Sequence, residues 1–242
     1  MRESWKRIAN GLTRRQALSG AAAAFGLGLA AGKSTVSSSQ QRIAAALPGA
    51  EVCVLTPQAT EGPFYFDPKR VRADIAEGKH GAPLTLTLQM VNAKDCARLE
   101  QARVDVWHSD GLGLYSGFAG QETGSARGET FLRGTQFANA DGEVRFETIY
   151  PGWYPGRTPH IHFKVFTDPA SVATGQLYFP DALSTRIYAS IPPYNARKAK
   201  RDTDNNNDFI FLRQGGVETL LKIEEKDGRY LASLVIGVDR TR

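Results

Sequence analysis

Leu84-Thr85-Leu86-Thr87-Leu88-Gln89-Met90 alternates apolar and polar residues at every step. A period of two belongs to an extended strand that turns one face to a core. Working outward, Val104 and Val106 interleave with Arg103, Asp105 and Trp107, and Val144, Phe146 and Thr148 interleave with Arg145 and Glu147. Asn139-Ala140-Asp141-Gly142 supplies turn chemistry just ahead of that third strand. Asp208–Leu212 and Tyr230–Val238 also read as strands, with Lys226-Asp227-Gly228-Arg229 as a hairpin turn. No stretch past the first fifty residues shows strong helical periodicity. Short strands punctuated by Gly and Pro, without repeat or composition break, predict an all-β chain folded as an antiparallel β-sandwich, a single domain over residues 51–242 with long loops.

The 242 residues carry a formal charge of +5. That excess sits at the amino terminus, where residues 1–50 hold seven basic and one acidic residue. Beyond them 23 basic residues face 24 acidic ones, so the folded part offers no general attraction for nucleic acid. The leader opens with basic residues, passes through Thr13-Arg14-Arg15-Gln16-Ala17-Leu18 and continues as an Ala- and Gly-rich apolar run to Ala31. It is too short and too weakly apolar for a permanent membrane span. The paired arginines resemble a twin-arginine signal, which predicts export by that machinery to the periplasm or beyond. Residues 32–50 read as a linker. The two cysteines, Cys53 and Cys96, pair naturally as one disulfide in an oxidising compartment; two buried thiols are the alternative.

Chemistry is concentrated in Tyr150-Pro151-Gly152-Trp153-Tyr154-Pro155-Gly156-Arg157-Thr158-Pro159-His160-Ile161-His162-Phe163-Lys164-Val165-Phe166. On a strand, Ile161, Phe163 and Val165 face one way while His160 and His162 share the other face, within reach of one metal ion. Taken alone, the pair fits zinc or copper as well as iron. Of the other two histidines, His80 reads as a surface residue and His108 as a hydrogen-bonding one, so further ligands are expected from oxygen donors.

The motifs around that segment resemble the intradiol ring-cleavage dioxygenases, most closely the protocatechuate-type branch. Val104-Asp105-Val106-Trp107-His108-Ser109-Asp110-Gly111-Leu112-Gly113-Leu114-Tyr115-Ser116 is similar to the strand and loop that carry the family's first iron-binding tyrosine. Thr148-Ile149-Tyr150-Pro151-Gly152-Trp153-Tyr154-Pro155 carries the second, and Arg157-Thr158-Pro159-His160-Ile161-His162 the two histidines. Gly175-Gln176-Leu177-Tyr178-Phe179 and Thr56-Pro57-Gln58-Ala59-Thr60-Glu61-Gly62-Pro63-Phe64-Tyr65 match two further motifs, and all stand in the family's order over residues 53–215.

The resemblance implies a non-haem Fe(III) ion held by Tyr115, Tyr154, His160 and His162. It also implies a catechol-type substrate cleaved by O2 between its hydroxylated carbons to a cis,cis-muconate-type diacid. Tyr154 would leave the metal as substrate binds, and Arg157 and Gln176 would support the developing anion. Such a donor set suits ferric ion, a hard acid that prefers anionic oxygen and imidazole to thiolate.

Only five residues separate Tyr154 from His160, fewer than in many members, which predicts an open pocket. A long amino-terminal dimerisation helix like that of the catechol-specific branch is missing from the pattern. Asp202, Asp204, Asn206 and Asp208 are spaced like calcium ligands but lack the glycine and terminal glutamate of such a loop, and read as a polar loop. Arg197-Lys198-Ala199-Lys200-Arg201 reads as a solvated surface. Two competing functions stay open on the sequence: an exported β-sandwich binding module without turnover, and a copper or zinc enzyme using the histidine pair.

Overall fold

A computed structural model describes residues 53–167 and 171–239, with Ser171 and Val172 as backbone only. The leader with its Arg14-Arg15 pair, the linker and the predicted boundary at Glu51 lie outside the described residues.

Among the described residues the chain is mostly β, with eight strands in two four-stranded sheets. In one, β1 (Pro83–Asn92) lies between β4 (Glu143–Ile149) and β8 (Arg229–Val238), and β7 (Lys222–Lys226) flanks β8. In the other the order is β3 (Arg133–Phe137), β2 (Arg103–Trp107), β5 (His160–Phe166), β6 (Ser171–Tyr178). The alternating stretch that opens the sequence reading is β1, and Leu84, Leu86, Leu88 and Met90 are fully buried. They share one apolar cluster with Val104 and Val106 of β2, Phe146 of β4, Ile161, Phe163 and Val165 of β5 and Ile236 of β8. Burying each such side chain contributes about 2 kcal/mol, an upper figure because unfolded chains are already partly compact. Apolar residues from both sheets thus supply the core.

Three expectations need correction. The pairing is not wholly antiparallel, since β1 and β8 run parallel from Leu84↔Tyr230 to Asn92↔Val238. Alternation fixes which face is buried but carries no information on direction, and the long connection between these two strands leaves either direction available. Asp208–Leu212 is not a strand. Asp208 accepts from the backbone N–H groups of Ile210 and Phe211, which caps helix α2 (Phe209–Arg213). The predicted hairpin does form at Asp227-Gly228, but its first strand is β7. Finally, the region holds a ten-residue helix, α1 (Asp181–Ser190), in which only Ser184 and Ile187 are buried, so little apolar period marks it. Among the described residues no helix is long and apolar enough to cross a membrane.

The segment from Cys53 to Phe66 forms an arm on these sheets. Cys53 is bonded to Cys96, Thr56 donates its N–H to the Gly237 carbonyl at 2.9 Å, and Ala59 donates to the Thr174 carbonyl at 3.0 Å. This lays Thr60 beside β6, Gly62 beside β5 and Phe64 on the Tyr115 ring.

Candidate metal centre

β5 runs between β2 and β6, so its two faces are settled by its neighbours. Ile161 and Phe163 enter the core, while His160 and His162 lie buried on the opposite face. Direct register places Trp107 and Gln176 on either side of His162, and Tyr178 beside His160. The Trp107 and His162 rings stack with centroids 4.8 Å apart and planes 7° from parallel, which fixes the imidazole plane.

The two tyrosines arrive on loops. Tyr115 follows β2, and the Gln121 side chain brackets it by accepting from its N–H at 2.8 Å and donating to its carbonyl at 2.7 Å. Phe64 stacks on its ring at 4.5 Å. Tyr154 begins a tight turn in which Arg157 donates its N–H to the Tyr154 carbonyl at 3.3 Å. Gly156 takes a φ of 78° there, and its N–H donates to the Asp202 carboxylate at 3.2 Å. The short Tyr154–His160 spacing noted in the sequence is this turn.

All four side chains converge. The Tyr154 hydroxyl lies 3.1 Å and the Tyr115 hydroxyl 3.4 Å from His160 Nε2, and His162 Nε2 lies 3.1 Å from the same atom. His160 Nδ1 donates to the Thr158 carbonyl at 2.7 Å, so its Nε2 carries a lone pair. Two phenol hydroxyls and a second imidazole nitrogen crowd that one lone pair. A cation among the four atoms would satisfy them all, and bonds of about 2.1 Å give ligand separations of about 3.0 Å at right angles and about 3.4 Å at tetrahedral angles. The observed spacings fall in that interval. Among the described residues no group of three or more His, Cys, Asp or Glu is placed to hold a metal, so a centre here draws on the tyrosines.

Electrostatics agree with that role. Burial, reinforced by the Arg157 charge, holds both imidazoles well below their ordinary pKa, so they stay neutral and free to donate lone pairs. Burial raises the Tyr115 phenol well above 10, and the neighbouring Tyr154 adds to it. Tyr154 is also raised by burial, against the pull of Arg157. Without a cation both phenols keep their protons; a bound cation reverses the balance.

Arg157 and Gln176 meet beside these groups. Arg157 Nη2 donates to Gln176 Oε1 at 2.5 Å, Tyr178 donates to the same oxygen at 2.9 Å, and Gln176 Nε2 donates to the Thr60 carbonyl at 2.8 Å. The structure adds Asp208, which the sequence reading left in a polar loop. Its Oδ2 accepts from Arg157 Nε at 2.9 Å and from the Thr158 N–H at 2.8 Å, while its Oδ1 caps α2. The only local signal for it is the Asp208-Phe209-Ile210-Phe211 capping pattern. His108 is buried with Nδ1 donating to the Ser109 carbonyl and Nε2 accepting from the Thr148 hydroxyl, both at 2.8 Å, and His80 is exposed. Neither joins the centre. In the basic run, Arg197 lies 3.7 Å over the Trp153 ring and Arg201 pairs with Asp181 at 3.0 Å, so these two are docked and only the residues between them are exposed.

Comparison with known proteins follows the same lines. A family model described as "Dioxygenase" matches residues 60–191, more than half of the chain. Catechol 1,2-dioxygenase 1 of Acinetobacter lwoffii is 28% identical over 190 residues, covering 64% of this chain and 60% of that protein. A chlorocatechol 1,2-dioxygenase of Burkholderia cepacia is 30% identical over 142 residues, 50% of this chain and 53% of that protein. The chain therefore spans between half and two thirds of the length of these curated relatives. An intradiol ring-cleavage dioxygenase structure from Tetranychus urticae superposes with a TM-score of 0.73 at 32% identity, covering 78% of this chain and 96% of that one.

Proposed function

The chain belongs to the intradiol ring-cleavage dioxygenase family, and from that membership we propose that it cleaves a catechol-type ring between its hydroxylated carbons, using O2 and a non-haem ferric ion. The observation that carries this reading is the convergence of Tyr115, Tyr154, His160 and His162 on one point, with Arg157 alongside.

Tyr115, Tyr154, His160 and His162 would hold the ion. The ion would supply a Lewis-acid centre for a catecholate and for activation of the ring toward dioxygen. The remaining work falls to the chain. Tyr154 is the better placed of the two phenols to let go, because it starts an exposed turn whereas Tyr115 is bracketed by Gln121 and stacked on Phe64. Its phenolate oxygen would take up one of the two catechol hydroxyl protons, and the other would leave to solvent. Arg157, fixed by Asp208 and Gln176, presents a guanidinium where negative charge develops on ring and oxygen, and needs no reorganisation to do so. Trp107 and Phe64 pin His162 and Tyr115 from the protein side, and the Thr158 carbonyl holds His160, so three of the four side chains are fixed.

The sandwich reading of the two sheets and export through the twin-arginine route belong to the same proposal, as does a catechol substrate class shared with the named relatives. The bonded Cys53–Cys96 pair supports an oxidising destination. The test is turnover of catechol under ¹⁸O2. Incorporation of both labelled atoms into an acyclic diacid supports the assignment, and a product carrying one or neither rejects it.

A further inference from the structure

Arg133 begins β3 and is 1% exposed. Nε donates to Ser116 Oγ and Nη2 to the Ser116 carbonyl, each at 2.8 Å, and the guanidinium lies 4.3 Å from the Phe66 ring centre and 5.6 Å from that of Phe118. Its Nη1 has no hydrogen-bond partner, and among the described residues no carboxylate pairs with it. A buried guanidinium without an anion is costly, and a residue held this way calls for an explanation. Packing alone would be served by an apolar side chain.

Two routes tie Arg133 to the candidate centre. Along the chain, it grips Ser116, the neighbour of Tyr115. Across the sheet, Arg133 pairs in register with Trp107 and Trp107 with His162, so the three side chains form one row on the face that carries the histidines. Trp107 stacks on His162 in that row. The phenyl rings over the guanidinium continue to Tyr115 through Phe118 and Phe64, at centroid separations of 5.3 and 4.5 Å. No other charged side chain stands in this row, and Tyr115 and Tyr65 are the side chains whose negative charge would act on the guanidinium.

We propose that Arg133 is a positioning residue that supplies the counter-charge for the tyrosinate side of the metal centre, with Tyr115 as its principal partner. This rests on the ferric reading above. Arg157 stands on the substrate side and is neutralised by Asp208; Arg133 stands on the protein side and has no such partner. A positive charge there lowers the energy of the tyrosinate electrons, so moving one to the metal costs more. It also favours retention of a metal whose ligands are anionic.

The test compares iron-loaded wild type with Arg133→Met, Arg133→Gln, Arg133→Lys and Ser116→Ala, reading the visible tyrosinate-to-iron band and the iron retained against a chelator. The neutral variants are expected to shift the band to longer wavelength by on the order of 10 nm and to weaken iron retention roughly tenfold. Arg133→Lys keeps the charge and should hold the band near its wild-type position, and Ser116→Ala should lower thermal stability without moving it. If Met fails to fold, Gln and Lys still separate charge from packing. A band at the same wavelength in the neutral variants as in Lys overturns the proposal and leaves Arg133 a structural residue. A wild type that binds iron without any such band overturns the ferric tyrosinate reading itself, and this inference with it.

Discussion

Asp208 shows how one side chain serves two structures. One oxygen caps α2 and the other holds Arg157, and the residue is fully buried. Asp208→Asn keeps an acceptor for the cap but removes the charge facing Arg157. Iron content should be unchanged while kcat falls roughly 10–100-fold; an unchanged kcat at full loading would show that Arg157 needs no partner. His108 carries a different consequence. Burial depresses it from 6.5 to about 4, so the unfolded chain binds its proton more readily than the folded one. Stability from this residue is therefore full above pH 6.5 and drains as pH falls toward 4, by about 3 kcal/mol in all. Urea midpoints of metal-free protein should drop across that window, less steeply in His108→Gln. Equal slopes would remove His108 from the account.

At the scale of elements, alternation made most strands legible. Residues 84–90, 103–107, 144–148 and 160–166 alternate because each strand has one face in the shared core. Direction of pairing was not legible, because the parallel β1–β8 contact joins segments far apart in the chain. Both helices were missed for a related reason: α1 buries two residues and α2 is five residues long, so their order comes from capping and tertiary contact rather than periodicity. The site divides in the same way. His160 and His162 announce themselves by spacing and the tyrosines by resemblance, whereas Asp208 and Arg133 depend on contacts across 51 and 17 positions that no local pattern encodes. The hairpin turn was legible from Asp227-Gly228, whose φ angles of 52° and 73° suit the two-residue turn between β7 and β8. Open space surrounds a Cβ at Gly228, so Gly228→Ala meets only the backbone cost of about 1 kcal/mol. A denaturation midpoint unchanged by that substitution would contradict the turn geometry.

Over the whole molecule, the arm from Cys53 to Phe66 connects stability to the site. It begins at the Cys53–Cys96 bond and ends with Phe64 on Tyr115 and Phe66 on Arg133. The bond closes a loop 43 residues long, for which chain entropy gives about 4 kcal/mol. Cys53→Ser should lower unfolding free energy by up to that amount while Thr56, Ala59 and Thr60 still tie the arm to β8, β6 and Gln214. Unaltered stability after reduction would place the bond outside the folding balance. The proposed activity depends on tyrosinate-bound ferric ion at the point where the four side chains meet. The most direct measurement is the visible spectrum of metal-analysed protein, before and after anaerobic addition of catechol. One iron per chain with a broad band that shifts on addition is the predicted result; a colourless protein that takes up no iron on reconstitution would contradict it.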